Sequence, residues 1–226
     1  MAKFNAAANQ ILMFDSGCAQ YPSLPEYHHE TLGADYDSIV NKTFTFEGGY
    51  QNYSNDSANY NSRGELVGTN RGISAIAYET YLNRPPSVAD MKAITATTAK
   101  KVYKKLFWDF MRGDQIKNDS VAHIMFDSFI ATGNLKLVRQ GINKVSSTKV
   151  TEKHVAFNDF TVRVVNGADQ KALFNSIKDL NIQQRKALAE ANPSKYAMFL
   201  KGWLARLDKI TFTQAAIGIG TGVFFF

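Results

Sequence analysis

The chain has 226 residues, of which 45% are hydrophobic and 12% aromatic, so it has enough apolar material for a folded core and is not intrinsically disordered. Its single cysteine, Cys18, excludes an intramolecular disulfide framework and a cysteine-based zinc cluster. The formal net charge of +6 favours a polyanionic partner, and nucleic acid, anionic lipid and an anionic cell-wall polymer satisfy that bias equally well.

The two ends of the chain predict irregular segments. Residues 1–35 lack helical periodicity, and the apolar run at 11–14 is too short for the core of a secretory signal. The sequence has no internal run of about 20 apolar residues, the length that predicts a membrane span. Residues 211–226 form an uncharged hydrophobic tail, for which packing on its own domain, on a partner subunit or on a membrane surface remains open. The domain itself is expected to be complete near residues 203–207.

The first half of the folded region predicts helices on both sides of a polar loop. Apolar residues at helical spacing begin at Tyr36, and Gly48-Gly49 ends that helix. Residues 51–70 are rich in Asn, Ser, Tyr and Gly and predict an irregular loop or a small β-hairpin. Further helices are predicted over residues 73–82, from Ser87, and over residues 95–108.

The second half predicts helices with one ambiguous stretch at residues 146–157. The predicted helices cover residues 120–131, 135–145, 167–180, 182–191 and 196–207. The whole pattern favours a mainly α protein with a small irregular or β-containing region between the first helices.

Glu47 is the residue with the clearest potential for catalysis. It lies at the end of an apolar helix, directly before Gly48-Gly49, where lost solvation raises the pKa of a carboxyl toward the range that a general acid needs. The two glycines allow a sugar to approach closely. A glycosidase also needs a second polar group that positions water or stabilises an oxocarbenium-like transition state. The candidates nearby are Asp56, Glu65 and Thr69. Taken alone, a glutamate before Gly-Gly is more often a charge at a helix end.

Two motifs stand close together in this part of the chain. The first is Glu47-Gly48-Gly49-Tyr50, with Asn52 and Asp56 after it, and the second is Thr69-Asn70-Arg71-Gly72-Ile73-Ser74. With further blocks in the same order, ending at Phe199-Leu200-Lys201-Gly202-Trp203, they make residues 36–210 resemble the bacterial and phage muramidases of glycoside hydrolase family 108. The loop between the motifs departs from the family pattern, because Tyr53 replaces an Asp, two prolines are absent and residues 60–68 look inserted. This departure leaves the second catalytic group open.

The resemblance implies a lysozyme-like fold that hydrolyses the β-1,4 bond between N-acetylmuramic acid and N-acetylglucosamine in peptidoglycan, with neither metal nor organic cofactor. It implies that Glu47 is the general acid and that Thr69 or Asp56 positions the attacking water. The substrate-binding residues that it implies are Gly48, Gly49, Tyr50, Asn52, Asn70, Gly72 and Asp127. For Asp127, a structural N-cap or salt bridge is an equal alternative.

On this basis the chain divides into an N-terminal arm (1–35), a lysozyme-like hydrolase region (36–125), a helical peptidoglycan-associated region that completes the fold (126–210) and the tail (211–226). We expect a phage protein without a signal peptide, which acts on the cell wall from the host cytoplasm or is carried in the virion. Its partner would be peptidoglycan, with other virion proteins or a second copy at the tail. The alternative is a peptidoglycan-binding or structural component of a virion or secretion apparatus with weak turnover or none. No aromatic–basic motif or recognition helix predicts a nucleic-acid partner.

Overall fold

The structure, a computed structural model, describes residues 33–44, 48–150 and 156–214. Within these ranges the chain is mainly helical, as the sequence predicts. The α-helices are α1 (Tyr36–Phe44), α2 (Ala75–Leu82), α3 (Val88–Lys92), α4 (Ala96–Tyr103), α5 (Asp119–Thr132), α6 (Lys136–Val145), α7 (Asp159–Gly167), α8 (Gln170–Ala191) and α9 (Pro193–Asp208). A π-helical turn (Lys104–Trp108) continues α4, and 3₁₀ turns lie at Ser57–Asn59 and Gly113–Gln115. No helix among the described residues is long and apolar enough to cross a membrane.

Short polar side chains start most of these helices, because they accept hydrogen bonds from backbone N–H groups that have no partner within the helix. Ser87 accepts from the N–H of Asp90, whose carboxylate accepts from the N–H of Ser87 in return. Thr95 accepts from the N–H of Thr98 at the start of α4. The helix starts predicted at Ser87 and Thr95 are therefore confirmed.

The core is organised around α5, in which every residue from 120 to 129 is buried. Phe126 of this helix packs edge-on against Trp108 and Tyr103, with ring centroids 5.5 and 6.2 Å away. Both of these aromatic residues are core residues, since each is at most 1% exposed. Helix α5 runs through the predicted division between residues 125 and 126 and contacts helices on both sides of it, including α1 and α8.

The sequence prediction of two helices at 167–180 and 182–191 is wrong, because residues 170–191 form the single helix α8. The predicted break lay at Asn181, a weak helix former that usually competes with the backbone for hydrogen bonds. In the structure Asn181 is fully buried, and its amide donates to the carbonyl of Ile177 and to the hydroxyl of Ser128 on α5. Gly167 ends α7, a helix that the sequence analysis did not predict.

The expectation that the domain is complete near residues 203–207 is wrong, because the chain continues to pack on the domain beyond them. Ile210 is 1% exposed, and the Phe212 ring packs 5.6 Å from that of Phe174 on α8. The N–H of Thr213 donates to the hydroxyl of Ser120 at the start of α5, 2.9 Å away. The first residues of the uncharged segment therefore belong to the domain's own core. Residues 1–32 of the predicted arm and residues 215–226 of the tail lie outside the described residues.

Candidate active site

The two sequence motifs meet in the polar loop between α1 and α2. Gln51 and Thr69 form an antiparallel β-bridge in which each backbone N–H donates to the other's carbonyl at 2.8 Å. A second bridge joins Tyr60 to Leu66 and closes the segment that looked inserted. The predicted irregular, β-containing loop is thus confirmed, and it places Thr69 beside the residues that follow Gly48-Gly49.

Glu47, the residue predicted to be the general acid, lies outside the described residues. The described chain resumes at Gly48 and Gly49, which are exposed. A Cβ built on either glycine meets no atom within 4 Å, so the space above them is open. Tyr50, which follows, is half-buried and donates its hydroxyl to the carbonyl of Val67 at 3.1 Å. Asn52 is exposed on the same loop.

Asp56 is a buried carboxylate whose hydrogen-bond donors, among the described residues, are both neutral. It is 1% exposed, and it accepts from the N–H of Ala58 at 3.0 Å and from the side-chain amide of Gln51 at 3.3 Å. Burial raises the pKa of Asp56 above its ordinary value, although the two hydrogen bonds and the more distant charge of Lys195 oppose this. A carboxylate with a raised pKa is suited to accept a proton from water.

Thr69 and Asn70 are buried, and their side chains hold the loop in place. The Thr69 hydroxyl donates to the carbonyl of Ala58 at 3.3 Å, and the Asn70 amide donates to the carbonyl of Met91 on α3 at 2.8 Å. A tight turn follows at residues 71–72, where Gly72 has a φ of 75°. Both predicted site residues therefore stabilise the conformation of the loop through buried hydrogen bonds.

Asp127 lies apart from this loop, at the junction of α5, α8 and α9. It is 1% exposed, and the Nε of Arg206 donates to it at 2.6 Å while an Nη of Arg185 lies 3.6 Å away. Burial alone would raise the pKa of Asp127, but the charges of the two arginines lower it below its ordinary value. The geometry favours the salt-bridge alternative for this residue over substrate contact.

The structure thus brings together the loop residues among those predicted: Gly48, Gly49, Tyr50, Asn52, Asp56, Thr69, Asn70 and Gly72. Sequence reasoning missed Gln51, whose amide holds Asp56, and Lys195, whose charge reaches Asp56 from α9. Gln51 could have been found from the hairpin register, which pairs it with Thr69. Lys195 had no local signal, because its approach depends on how α9 packs.

Comparisons with known proteins agree with this description. Residues 40–133, from the middle of α1 to the turn after α5, match the family model described as glycosyl hydrolase 108. The resemblance inferred from the two motifs is confirmed over that range, and the match supports a glycoside hydrolase. Among solved structures, SagA from Brucella abortus matches with a TM-score of 0.61 and 24% sequence identity, over 77% of this chain and 90% of that one. This likeness concerns the fold alone. No curated protein sequence matches the chain.

Proposed function

We propose that this chain, whose residues 40–133 match glycosyl hydrolase 108, is a peptidoglycan hydrolase that cleaves the β-1,4 bond between N-acetylmuramic acid and N-acetylglucosamine. The observation that carries the proposal is the bridge between Gln51 and Thr69, because it holds the two motifs of the family resemblance side by side. The open space above Gly48 and Gly49 leaves room for a sugar next to the position of Glu47 in the chain.

In the proposed reaction, Glu47 donates a proton to the glycosidic oxygen as the bond from that oxygen to C1 of N-acetylmuramic acid breaks. Water adds its oxygen to C1 and gives up a proton. Asp56 is the best supported acceptor of that proton, since burial raises its pKa and it forms no ion pair in the part of the chain that the structure describes. The Thr69 hydroxyl is less well supported, because it already donates to the carbonyl of Ala58.

The proposal extends to the substrate and the setting. The net charge of +6 suits an anionic wall polymer and predicts that binding weakens as the salt concentration rises. Asn52 is exposed and Tyr50 is half-buried, so a glycan that binds at the loop can reach both side chains. A phage origin, as a lysis enzyme or a virion component, is part of the proposal and is compatible with the resemblance to bacterial and phage muramidases.

The decisive experiment replaces Glu47 with Gln, which is nearly isosteric but cannot donate a proton. Release of reducing sugars from purified peptidoglycan is expected to fall by about 10²–10⁴-fold, the usual contribution of general acid catalysis. Mass analysis of the muropeptides identifies the bond that the wild type cleaves. The matched control is Glu190→Gln, which changes an exposed glutamate on α8 and should leave the rate unchanged.

Two outcomes would contradict the proposal. If Glu47→Gln retains more than half of the wild-type rate, Glu47 is not the general acid. If the wild type binds peptidoglycan but releases no reducing sugars, the chain is a wall-binding or structural component instead.

A further inference from the structure

Two arginines among the described residues have left-handed backbone conformations, which side chains with a Cβ rarely adopt. The φ angle is 49° at Arg71 and 53° at Arg112. Glycine adopts this conformation without strain, and asparagine and aspartate adopt it more readily than other residues. An arginine there therefore suggests that its side chain makes an interaction that offsets the strain. The two residues differ in what their guanidinium groups contact.

The guanidinium of Arg112 has a partner within the fold. It pairs with Asp159 at the start of α7 and so ties the turn after the π-helical segment to that helix. The position therefore has a structural reason for its arginine. Asp159 and Arg112 are 47 residues apart in the chain, and their pairing links two distant segments.

Arg71 has no comparable partner among the residues that the structure describes. Its Nε donates to the carbonyl of Ile94 at 3.2 Å, and its own carbonyl accepts from the Tyr103 hydroxyl at 3.2 Å, so both its backbone and the base of its guanidinium are fixed. The residue is exposed, and no carboxylate among the described residues pairs with it. A fixed, exposed guanidinium whose Nη groups have no acidic partner is well suited to bind a carboxylate from outside.

The turn that carries Arg71 lies against the candidate active site. Its neighbour Asn70 donates to the carbonyl of Met91, which brings the end of α3 alongside the turn. Lys92 lies at the end of α3 and is also exposed. Its ammonium is 5.3 Å from the centre of the ring of Tyr50, the residue that follows Gly49. Arg71 and Lys92 are therefore two exposed basic residues on adjoining segments, which we call the cationic edge, and Lys92 reaches the ring of Tyr50.

We propose that Arg71, with Lys92 beside it, is a specificity residue that binds a free carboxylate on the peptide stem of peptidoglycan. This inference rests on the proposed function and narrows it. Peptidoglycan differs from a neutral polymer of N-acetylglucosamine in carrying peptide stems with free carboxylates on alternate sugars. The cationic edge makes the site select the acidic polymer over the neutral one.

The test measures binding by calorimetry, with the full chain carrying Glu47→Gln so that the ligand is not consumed. The ligand is a peptidoglycan tetrasaccharide with peptide stems, either with free carboxylates or with the same carboxylates converted to methyl esters. Adding Arg71→Gly should weaken binding of the free acid about tenfold, as expected for loss of a hydrogen bond to a charged group, and leave binding of the ester unchanged. Arg71→Lys should fall between the two.

The choice of glycine keeps the test interpretable, because glycine adopts a φ of 49° without strain and the turn should be retained. Arg112→Gly is the matched control: it has the same backbone conformation, and it should not change binding of either ligand. Thermal unfolding of each variant checks that the fold is intact, and Arg71→Asn serves as a second variant that tolerates this conformation.

An Arg71 effect that is equal for acid and ester, or that is absent, would overturn the inference. Binding of neither ligand by the protein would overturn it as well. The proposed function is tested separately, by release of reducing sugars from peptidoglycan by the wild type. Selective binding of the free acid without any cleavage would support the inference on Arg71 and contradict the proposed hydrolase activity.

Discussion

Asp56 and Asp127 each expose only 1% of their surface, yet their surroundings are electrostatically opposite. Asp127 faces the guanidinium groups of Arg206 and Arg185, which keep its carboxylate ionised. The donors to Asp56 in the described part of the chain are neutral, and burial raises its pKa. The comparison teaches that burial alone does not assign a role to a carboxylate. The charge of its partners decides whether it is fixed as an ion or able to exchange a proton.

The two sites also differ in how far along the chain their partners lie. Both donors to Asp56 come from within five residues of it. Arg206 is 79 residues away from Asp127, on a helix that reaches it only after α8 and α9 have packed. The loop site is therefore local, whereas the helical junction is a product of tertiary structure.

The largest effect on stability is expected at the helical junction. Asp127→Asn removes the carboxylate that pairs with both arginines, and it leaves the buried guanidinium of Arg185 near the largely buried one of Arg206. Loss of one partner from a buried ion pair typically costs about 3–5 kcal/mol, which should appear in urea unfolding at pH 7. Asp179→Asn, at an exposed position on α8, is the control and should change little. A cost below about 1 kcal/mol, the range of surface ion pairs, would mean that the junction is not electrostatically coupled.

The second effect concerns His123, one helical turn before Asp127 on α5. It is 8% exposed, and its Nε2 has no hydrogen-bond partner within the described residues. Burial lowers its pKa to about 4; the charge of Asp127 opposes this, and Lys42 and Arg206 add to it. In the unfolded chain the imidazole takes up a proton near pH 6.5. The contribution of the neutral His123 to the free energy of unfolding is thus fully present above pH 6.5. It is lost as the pH falls toward 4.

The loss at low pH amounts to roughly 3 kcal/mol, obtained by multiplying the pKa difference by the free energy of one pKa unit. His123→Gln should remove this contribution. The measurement compares the free energies of unfolding of wild type and variant at pH 7 and at pH 4.5. The wild type is expected to lose more stability than the variant over this interval. Parallel losses would show that His123 can be protonated within the fold without a loss of stability.

The contrast between local and long-range partners also explains how much the sequence could predict. The helix starts at Ser87 and Thr95 depend on hydrogen bonds within one turn, and they were predicted correctly. The meeting of the two motifs was predictable as well, because the polar loop between them is short enough to form a hairpin. Asn181 misled the prediction of α8, since the hydroxyl of Ser128 that satisfies its amide lies 53 residues away.

The same reasoning applies to the site. Asp56 and Thr69 could be chosen as candidates because they lie near Glu47 in the sequence and match the family resemblance, but their burial depends on how the loop packs on α3. The end of the domain was misjudged because an uncharged run gives no sign of where its partner lies. Ile210 and Phe212 contact α8, and Thr213 bonds to Ser120 at the start of α5. Both partners are distant in the chain.

The smallest effect on stability is expected at Asp56, where it also distinguishes structure from catalysis. Asn at this position can still accept from the N–H of Ala58, so the turn at Ser57–Asn59 should be kept. Because the pKa of Asp56 is raised in the fold, its contribution to stability is full below the ordinary value of 3.8 and is lost as the pH rises through the raised value. Asp56→Asn should therefore lie within about 1 kcal/mol of the wild type at pH 7, in contrast to Asp127→Asn.

Turnover should respond to the Asp56 change quite differently from stability. If Asp56 accepts the proton from water, Asp56→Asn lowers the rate of peptidoglycan hydrolysis by about 10²–10⁴-fold while the unfolding midpoint hardly moves. Glu65→Gln is the matched control, because Glu65 is an exposed carboxylate of the same loop that accepts from the Asn61 amide at 2.6 Å. The control should retain most of its activity. The reverse result, a severe loss for Glu65→Gln and little for Asp56→Asn, would place the second catalytic carboxylate in the inserted segment and leave Asp56 as a cap alone.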